Sequence, residues 1–196
     1  MSPLVPYEFD AERFSRWMSY VLRHNPDRYG LQPDRHGYVD LDAFLLIAQR
    51  RYPALTPERL RTLVEGAGAG RFEIAVNRVR ARYGHSIPVD PPGPPVVPPA
   101  RLYHGADVSR ADTILAEGLY PVDRRMVHVS RTAEEALSLA RRKTTQPVLI
   151  AIDAREAHRQ GVAFYAEGNV YLAATIPLQF LTRQPLPESG CGILKQ

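Results

Sequence analysis

Ile87–Ala100, IPVDPPGPPVVPPA, forbids more structure than any other stretch of this chain. Proline fixes φ and carries no backbone donor, so the run can neither continue a helix nor sit inside a sheet. An extended, semi-rigid spacer of the polyproline type is expected. It separates two lengths of chain, 1–87 and 101–196, each large enough for a core of its own, with 88–100 as the linker.

The N-terminal length reads as helices. Phe14, Trp17, Met18, Val21 and Leu22 recur at i, i+3, i+4, i+7 and i+8, one face of an amphipathic helix. Asp10 supplies an N-cap, and Asn25-Pro26 ends the helix because the residue before proline is pushed out of the α region. Arg23 and His24 then fall in the last turn, where the helix dipole already accounts for two cations. A second helix is expected from Asp40, with Leu41, Phe44, Leu45 and Ala48 inward. A third starts at Thr56-Pro57, a cap followed by proline, and carries Leu60, Leu63 and Val64 to the glycine run Gly66–Gly70. Two alternating runs follow. Arg71–Val76 puts Phe72, Ile74 and Val76 on one face; Val79–Ile87 comes after a turn near Asn77-Arg78. Three helices and a β-ribbon describe a winged-helix module, an architecture that does not by itself fix a function. Every Lys/Arg position here is arginine, Arg28, Arg50, Arg51, Arg71 and Arg80 among them. Its planar fork matches phosphate oxygens, although a solvated surface would look the same.

Beyond the linker, short strands alternate with short helices. Arg101–Ala106, RLYHGA, reads as a strand with His104 beside a glycine. A helix over Ala111–Glu117 closes at Gly118. Met126–Ser130 alternates, with Val127 and Val129 on one side and His128 and Ser130 on the other. Thr132 and Glu135 form a capping box for a helix to about Arg142. Pro147–Ile152 is a buried strand, Ala154–Arg159 a short helix and Val170–Ala173 a further strand. The fold class is therefore α+β, with a small mixed or antiparallel sheet in this half. A histidine on a strand is usually structural, so His104 and His128 carry little weight by pattern alone. No G-x-G-x-x-G, P-loop or metal-ligand spacing occurs, so no metal is expected.

Composition adds bounds. No apolar run approaches the ~20 residues of a membrane span, and there is no basic-then-apolar leader. Cys191 is the only cysteine, which excludes an internal disulfide and fits a cytoplasmic location. A formal charge of +4 leans weakly towards a polyanionic partner.

Several strings occur in a familiar order: SYVLRHNP (Ser19–Pro26), DRHGYVDL (Asp34–Leu41), RFEI (Arg71–Ile74), YGHSI (Tyr83–Ile87), LYHGA (Leu102–Ala106), VHVS (Val127–Ser130), PVLIAID (Pro147–Asp153) and GNVYLA (Gly168–Ala173). Together they resemble the RNA 2′-phosphotransferases, NAD-dependent transferases of tRNA processing that remove a splice-junction 2′-phosphate. The resemblance runs from about Phe14 to Thr182. It implies a winged-helix lobe joined to an ADP-ribosyltransferase-like lobe, with RNA and NAD as partners, NAD consumed, no membrane and a monomer. The catalytic set it implies is Arg23, His24, Arg71 and Arg141, with Arg142 as the fallback for the last. The NAD-binding positions it implies are Tyr103, His104, Gly105, Gly118, His128, Ser130 and Val170, with close backbone approach at Gly105. An active site shared across the linker is the expectation.

Two departures stand out. Met126 occupies the first histidine of the usual R-x-H-V-H, whose Arg124 and His128 remain, and Tyr83 takes the glutamine of R-A-x-Q-G-H-S. His85 and Ser86 are left between an interface role and a substrate-adjacent one. A related ADP-ribosyltransferase acting on a terminal nucleic-acid phosphate, and a winged-helix regulator with a ligand-sensing domain, are the competing readings.

Overall fold

The structure is a computed structural model that describes residues 9–66 and 70–186. Cys191 and positions 67–69 of the glycine run lie outside them. The chain divides into two compact units. The first is Met1–Pro94 with Val122–Arg125; the second is Pro95–Pro121 with Met126–Gln196. Among the described residues there are six α-helices and two antiparallel sheets, a mixed α/β architecture. No helix among them is long and apolar enough to cross a membrane.

In the first unit, α1 (Ala11–His24) is capped by Asp10, whose Oδ1 accepts from the Arg13 N–H at 2.8 Å. Its apolar stripe is buried along its length; the Phe14 ring meets Tyr52 edge-on, and Trp17 packs tilted against Phe44 and Tyr52. The two-residue strand β1 (Val39–Asp40) leads into α2 (Leu41–Arg51), capped by Asp40 through the Ala43 N–H. Thr56 caps α3 (Pro57–Glu65). The strands β2 (Phe72–Ala75) and β3 (Arg78–Ala81) form a hairpin, and β3 also pairs with β1, so the order is β1-β3-β2.

Two expectations need correction here. Val76 is not on the apolar face: it takes φ 55° and is 92% exposed. It begins the two-residue hairpin loop, where a positive φ matches the twist of the strands. The second run stops being a strand at Ala81. Residues 82–87 instead fold back towards the end of α1, turning at Gly84 (φ 89°), and the Ser86 N–H donates to Arg23 O at 3.0 Å. The strand β1 was not anticipated at all.

The proline run carries neither helix nor strand. Arg35 secures its first part within the first unit: Asp90 N–H donates to Arg35 O at 2.8 Å and Arg35 Nε to Asp90 Oδ2 at 2.7 Å. Its last part belongs to the second unit, where Val96 N–H donates to Phe164 O at 2.7 Å.

The second unit is built on six strands: β4 (Arg101–Asp107), β5 (Val127–Ser130), β6 (Pro147–Asp153), β7 (Tyr165–Glu167), β8 (Val170–Ala173) and β9 (Leu181–Gln184). Their order is β7-β8-β5-β4-β6-β9, and every pairing is antiparallel. One face carries the larger core, in which Leu102, Val127, Val129, Ile150 and Ile152 meet α4 (Val108–Glu117) and α6 (Ala154–Arg159). The other face takes α5 (Ala133–Arg141), whose Ala136 and Leu137 pack with Leu149 and Tyr103. The strand β9 was unforeseen. α4 starts three residues before its expected first residue because Asp107 caps it, accepting from the Ser109 N–H at 2.9 Å.

Candidate active site

Helical spacing of four puts Ser15, Ser19 and Arg23 on one stripe of α1, alongside its apolar face. Arg23 is only 8% exposed. Its guanidinium carbon lies 5.8 Å from the Phe72 ring centroid and 5.3 Å from that of Tyr83, with Gly84 closing over it. Buried Nε and Nη2 have no hydrogen-bond partner. Burial, then the Arg71 charge, pushes the Arg23 pKa down to about 10; Tyr83 acts in the opposite sense and Arg124 adds to the fall.

Arg71, one residue before β2, reaches back over Phe72 (5.4 Å to the centroid) to the same stripe. Its Nη1 donates to Ser15 Oγ at 3.0 Å and its Nη2 to Ser19 Oγ at 2.9 Å. His24 is fixed through Nδ1, 3.0 Å from Ser86 Oγ. Burial lowers its pKa, helped by Arg23 and Arg124, so the ring is neutral near pH 7. Behind it, burial pushes His85 down to about 4, with Arg23, Arg80 and His24 adding to the fall. No carboxylate among the described residues pairs with Arg23, His24 or Arg71. A buried cation without a counter-ion is costly, whereas forked donors with no acid opposite suit a phosphate.

The Ser15/Ser19 pair was missed in the sequence, and its signal was the i, i+4, i+8 run ending at Arg23. Arg124 was noted only as a retained motif residue. It reaches the first unit because Val122–Arg125 packs there, with the Arg125 N–H donating to His85 O at 3.0 Å.

In the second unit the strand register sorts the remaining positions. Tyr103 pairs with Ser130, Ser130 with Val170 and His128 with Leu172. Strand alternation therefore puts Tyr103, Gly105, His128, Ser130 and Val170 on the face that bears α5, and His104 on the other. The ladder between β4 and β5 is the single pair Tyr103–Ser130, whereas β4 pairs with β6 along its whole length. Where β4 and β5 part, His104 Nδ1 meets His128 O at 3.0 Å. Since a carbonyl can only accept, Nδ1 carries the proton. Burial lowers the His104 pKa while that bond opposes it, so the ring is neutral, with Nε2 as an acceptor.

Gly105 also has a packing reason that its motif did not suggest. A Cβ there would overlap Ala136 O and lie 2.8 Å from Ala140 Cβ, so the missing side chain makes room for α5. Gly118 ends α4 at φ 106°, where a Cβ would lie 3.1 Å from Ile176 O. Arg141 is the last residue of α5, and Arg142 its C-cap; both are exposed. Arg141 is four residues from Leu137 and so continues the sheet-facing stripe, from which Arg142 turns away.

Residues 10–175 match the model of the RNA 2'-phosphotransferase, Tpt1 / KptA family. The chain belongs to the RNA 2′-phosphotransferase family. Arg23, His24, Arg71, His104, His128, Arg141 and Val170 all lie within the span matched to that family. Similar proteins named "Probable RNA 2'-phosphotransferase" come from several organisms. That of Thermococcus kodakarensis is 39% identical over 174 residues, 88% of this chain and 97% of the relative. That of Streptomyces coelicolor is 38% identical, covering 90% and 96% of the two chains. That of Burkholderia lata is 39% identical, covering 91% and 93%.

Proposed function

We propose that this transferase removes an internal 2′-phosphate from RNA with NAD as co-substrate, in two steps. A phosphate oxygen of the RNA attacks C1″ of the nicotinamide ribose. The C1″–N bond breaks, its electron pair leaves with nicotinamide, and ADP-ribose is joined to the RNA through the phosphate. Ribose O2″ then loses its proton and attacks the phosphorus. The bond from phosphorus to the RNA 2′-oxygen breaks, and that oxygen takes up a proton. RNA with a 2′-OH and ADP-ribose 1″,2″-cyclic phosphate are released.

The observation that carries this reading is Arg23: a buried guanidinium with two unpartnered nitrogens and no acid beside it. A phosphate would supply the missing charge and acceptors. Arg71, set by Ser15 and Ser19, would hold the same group, and neutral His24 would add a directed hydrogen bond. On the NAD side, the parting of β4 from β5 and the free acceptor of His104 suit a ribose hydroxyl. His128, Ser130, Tyr103 and Val170 would line the α5 side of that opening, while Gly105 and Gly118 act through backbone packing. Arg141 would stabilise phosphate charge in the second step. In this reading the first unit is a winged-helix lobe and the second an ADP-ribosyltransferase-like lobe.

Incubation with NAD and a 2′-phosphorylated oligonucleotide tests the proposal. Nicotinamide, 2′-OH product and the cyclic phosphate should appear together. ADP-ribosylated RNA as the end product, with no cyclic phosphate, would instead mark an ADP-ribosyltransferase acting on nucleic-acid phosphates.

A further inference from the structure

A second arginine-lined pocket lies elsewhere in the first unit. It encloses about 430 Å³ and is lined by Trp17, Arg28, Tyr29, Ile47, Arg50 and Arg51. Three elements contribute: the middle of α1, the 3₁₀ turn Asp27–Tyr29 that follows it, and the end of α2. The volume lies within the range of small-ligand sites. Trp17 and Arg23 are six residues apart on α1, which places them about 9 Å apart along the axis and about 120° around it. The pocket is therefore distinct from the Arg23–Arg71 cluster.

Two independent features point to a ligand. The first is charge. Arg28, Arg50 and Arg51 make no ion pair with any described carboxylate, and Arg51 rests only on the Tyr52 ring at 5.9 Å. The helix dipole explains two cations at the end of α2, but not Arg28, which comes from a separate turn. The second is the indole. Trp17 is 9% exposed, and its Nε1–H is buried with no acceptor. Buried donors of this kind are normally satisfied, so an unsatisfied one on a residue that lines the pocket is informative. Tyr29 stands edge-on to Trp17 at 5.8 Å and supplies a flat wall.

Guanidiniums beside an aromatic wall fit a ribose-phosphate unit. The phosphate would meet the arginines, and a base or ribose edge would meet Tyr29 and the indole. We propose that this pocket anchors a segment of the RNA strand away from the reacting 2′-phosphate. The proposal rests on RNA being the substrate, as above, but not on the chemistry performed there. A substrate held at two points would be positioned before reaction, and long RNAs would bind more tightly than short ones.

Trp17 is the only tryptophan in the chain, so its fluorescence reports on the surroundings of this pocket, and the arginine variants separate the pocket from other sites on the same helix. The full chain is titrated with single-stranded RNA lacking any 2′-phosphate. Trp17 emission should change with saturation. In the Arg28→Gln/Arg50→Gln/Arg51→Gln variant, affinity should fall about tenfold or more, and the slope of log K against log salt should shrink by about 2, three contacts at about 0.7 each. Arg50→Glu alone should give the same loss in smaller measure. Both variants should still turn over a short 2′-phosphorylated dinucleotide, which checks that they fold. RNA binding that leaves Trp17 emission unchanged, or a triple variant with undiminished affinity and slope, overturns the anchor; so does AMP saturating the pocket when RNA does not. Failure of the NAD assay with these effects intact would overturn only the proposed chemistry.

Discussion

Arg23 gains only ring contacts from its surroundings, too little to offset its loss of water, and its pKa is pushed down to about 10. Its neighbours are two aromatic rings, a second guanidinium and a neutral imidazole. Such a group is stabilised when an anion arrives, so ligand binding and local stability are coupled there. His85 shows the same cationic field from the other side. Its folded pKa of about 4 lies below the ordinary histidine value of about 6.5. The neutral form is the one the fold accepts. The stability it contributes is therefore complete above about pH 6.5 and is lost as pH falls towards 4. Between pH 7 and pH 5 the linkage predicts a loss of about 2 kcal/mol. Urea titrations at the two pH values should show it, and His85→Asn should remove most of the difference.

Contact between α5 and β4 rests on a vacancy. Gly105 lets the helix backbone lie directly on the strand, and Ala136 and Ala140 keep that approach close. Gly105→Ala would force the two apart, at a cost of about 1–3 kcal/mol by the usual penalty for overpacking. Chemical denaturation should register that loss, with nicotinamide release falling in step with the folded fraction.

This pair also illustrates what could be read in advance. The helices α1, α3 and α5 were legible because each start has a side-chain cap, Asp10, Thr56 or Thr132, and each buried stripe has a clear period, whereas the Asp107 cap of α4 was overlooked. The strands β1 and β9 were not legible: two residues show no alternation, and in Leu181–Gln184 only Leu181 is apolar. The reason for Gly105 was hidden because a glycine beside a histidine looks the same whether a ligand or a helix fills the space. Arg23 and His24 were found through the ordered motifs, but the Ser15/Ser19 support for Arg71 depends on a contact across 56 and 52 positions of sequence.

The proposed reaction gives its arginines different steps, and so separable phenotypes. Arg23→Ala and Arg71→Ala should slow the first step, seen as loss of nicotinamide release by about a hundredfold or more. Arg141→Ala should leave that release and accumulate ADP-ribosylated RNA; quenched time courses without that species would remove Arg141 from its assigned role. The same chain also crosses between its units more than once, because Val122–Arg125 returns to the first from within the second. A gene severed at the proline run would thus yield an amino-terminal fragment deprived of four of its own residues. The Arg125 amide that ties down His85 would be on the wrong polypeptide. Recombining the two products in one tube would have to restore a strap as well as a partner.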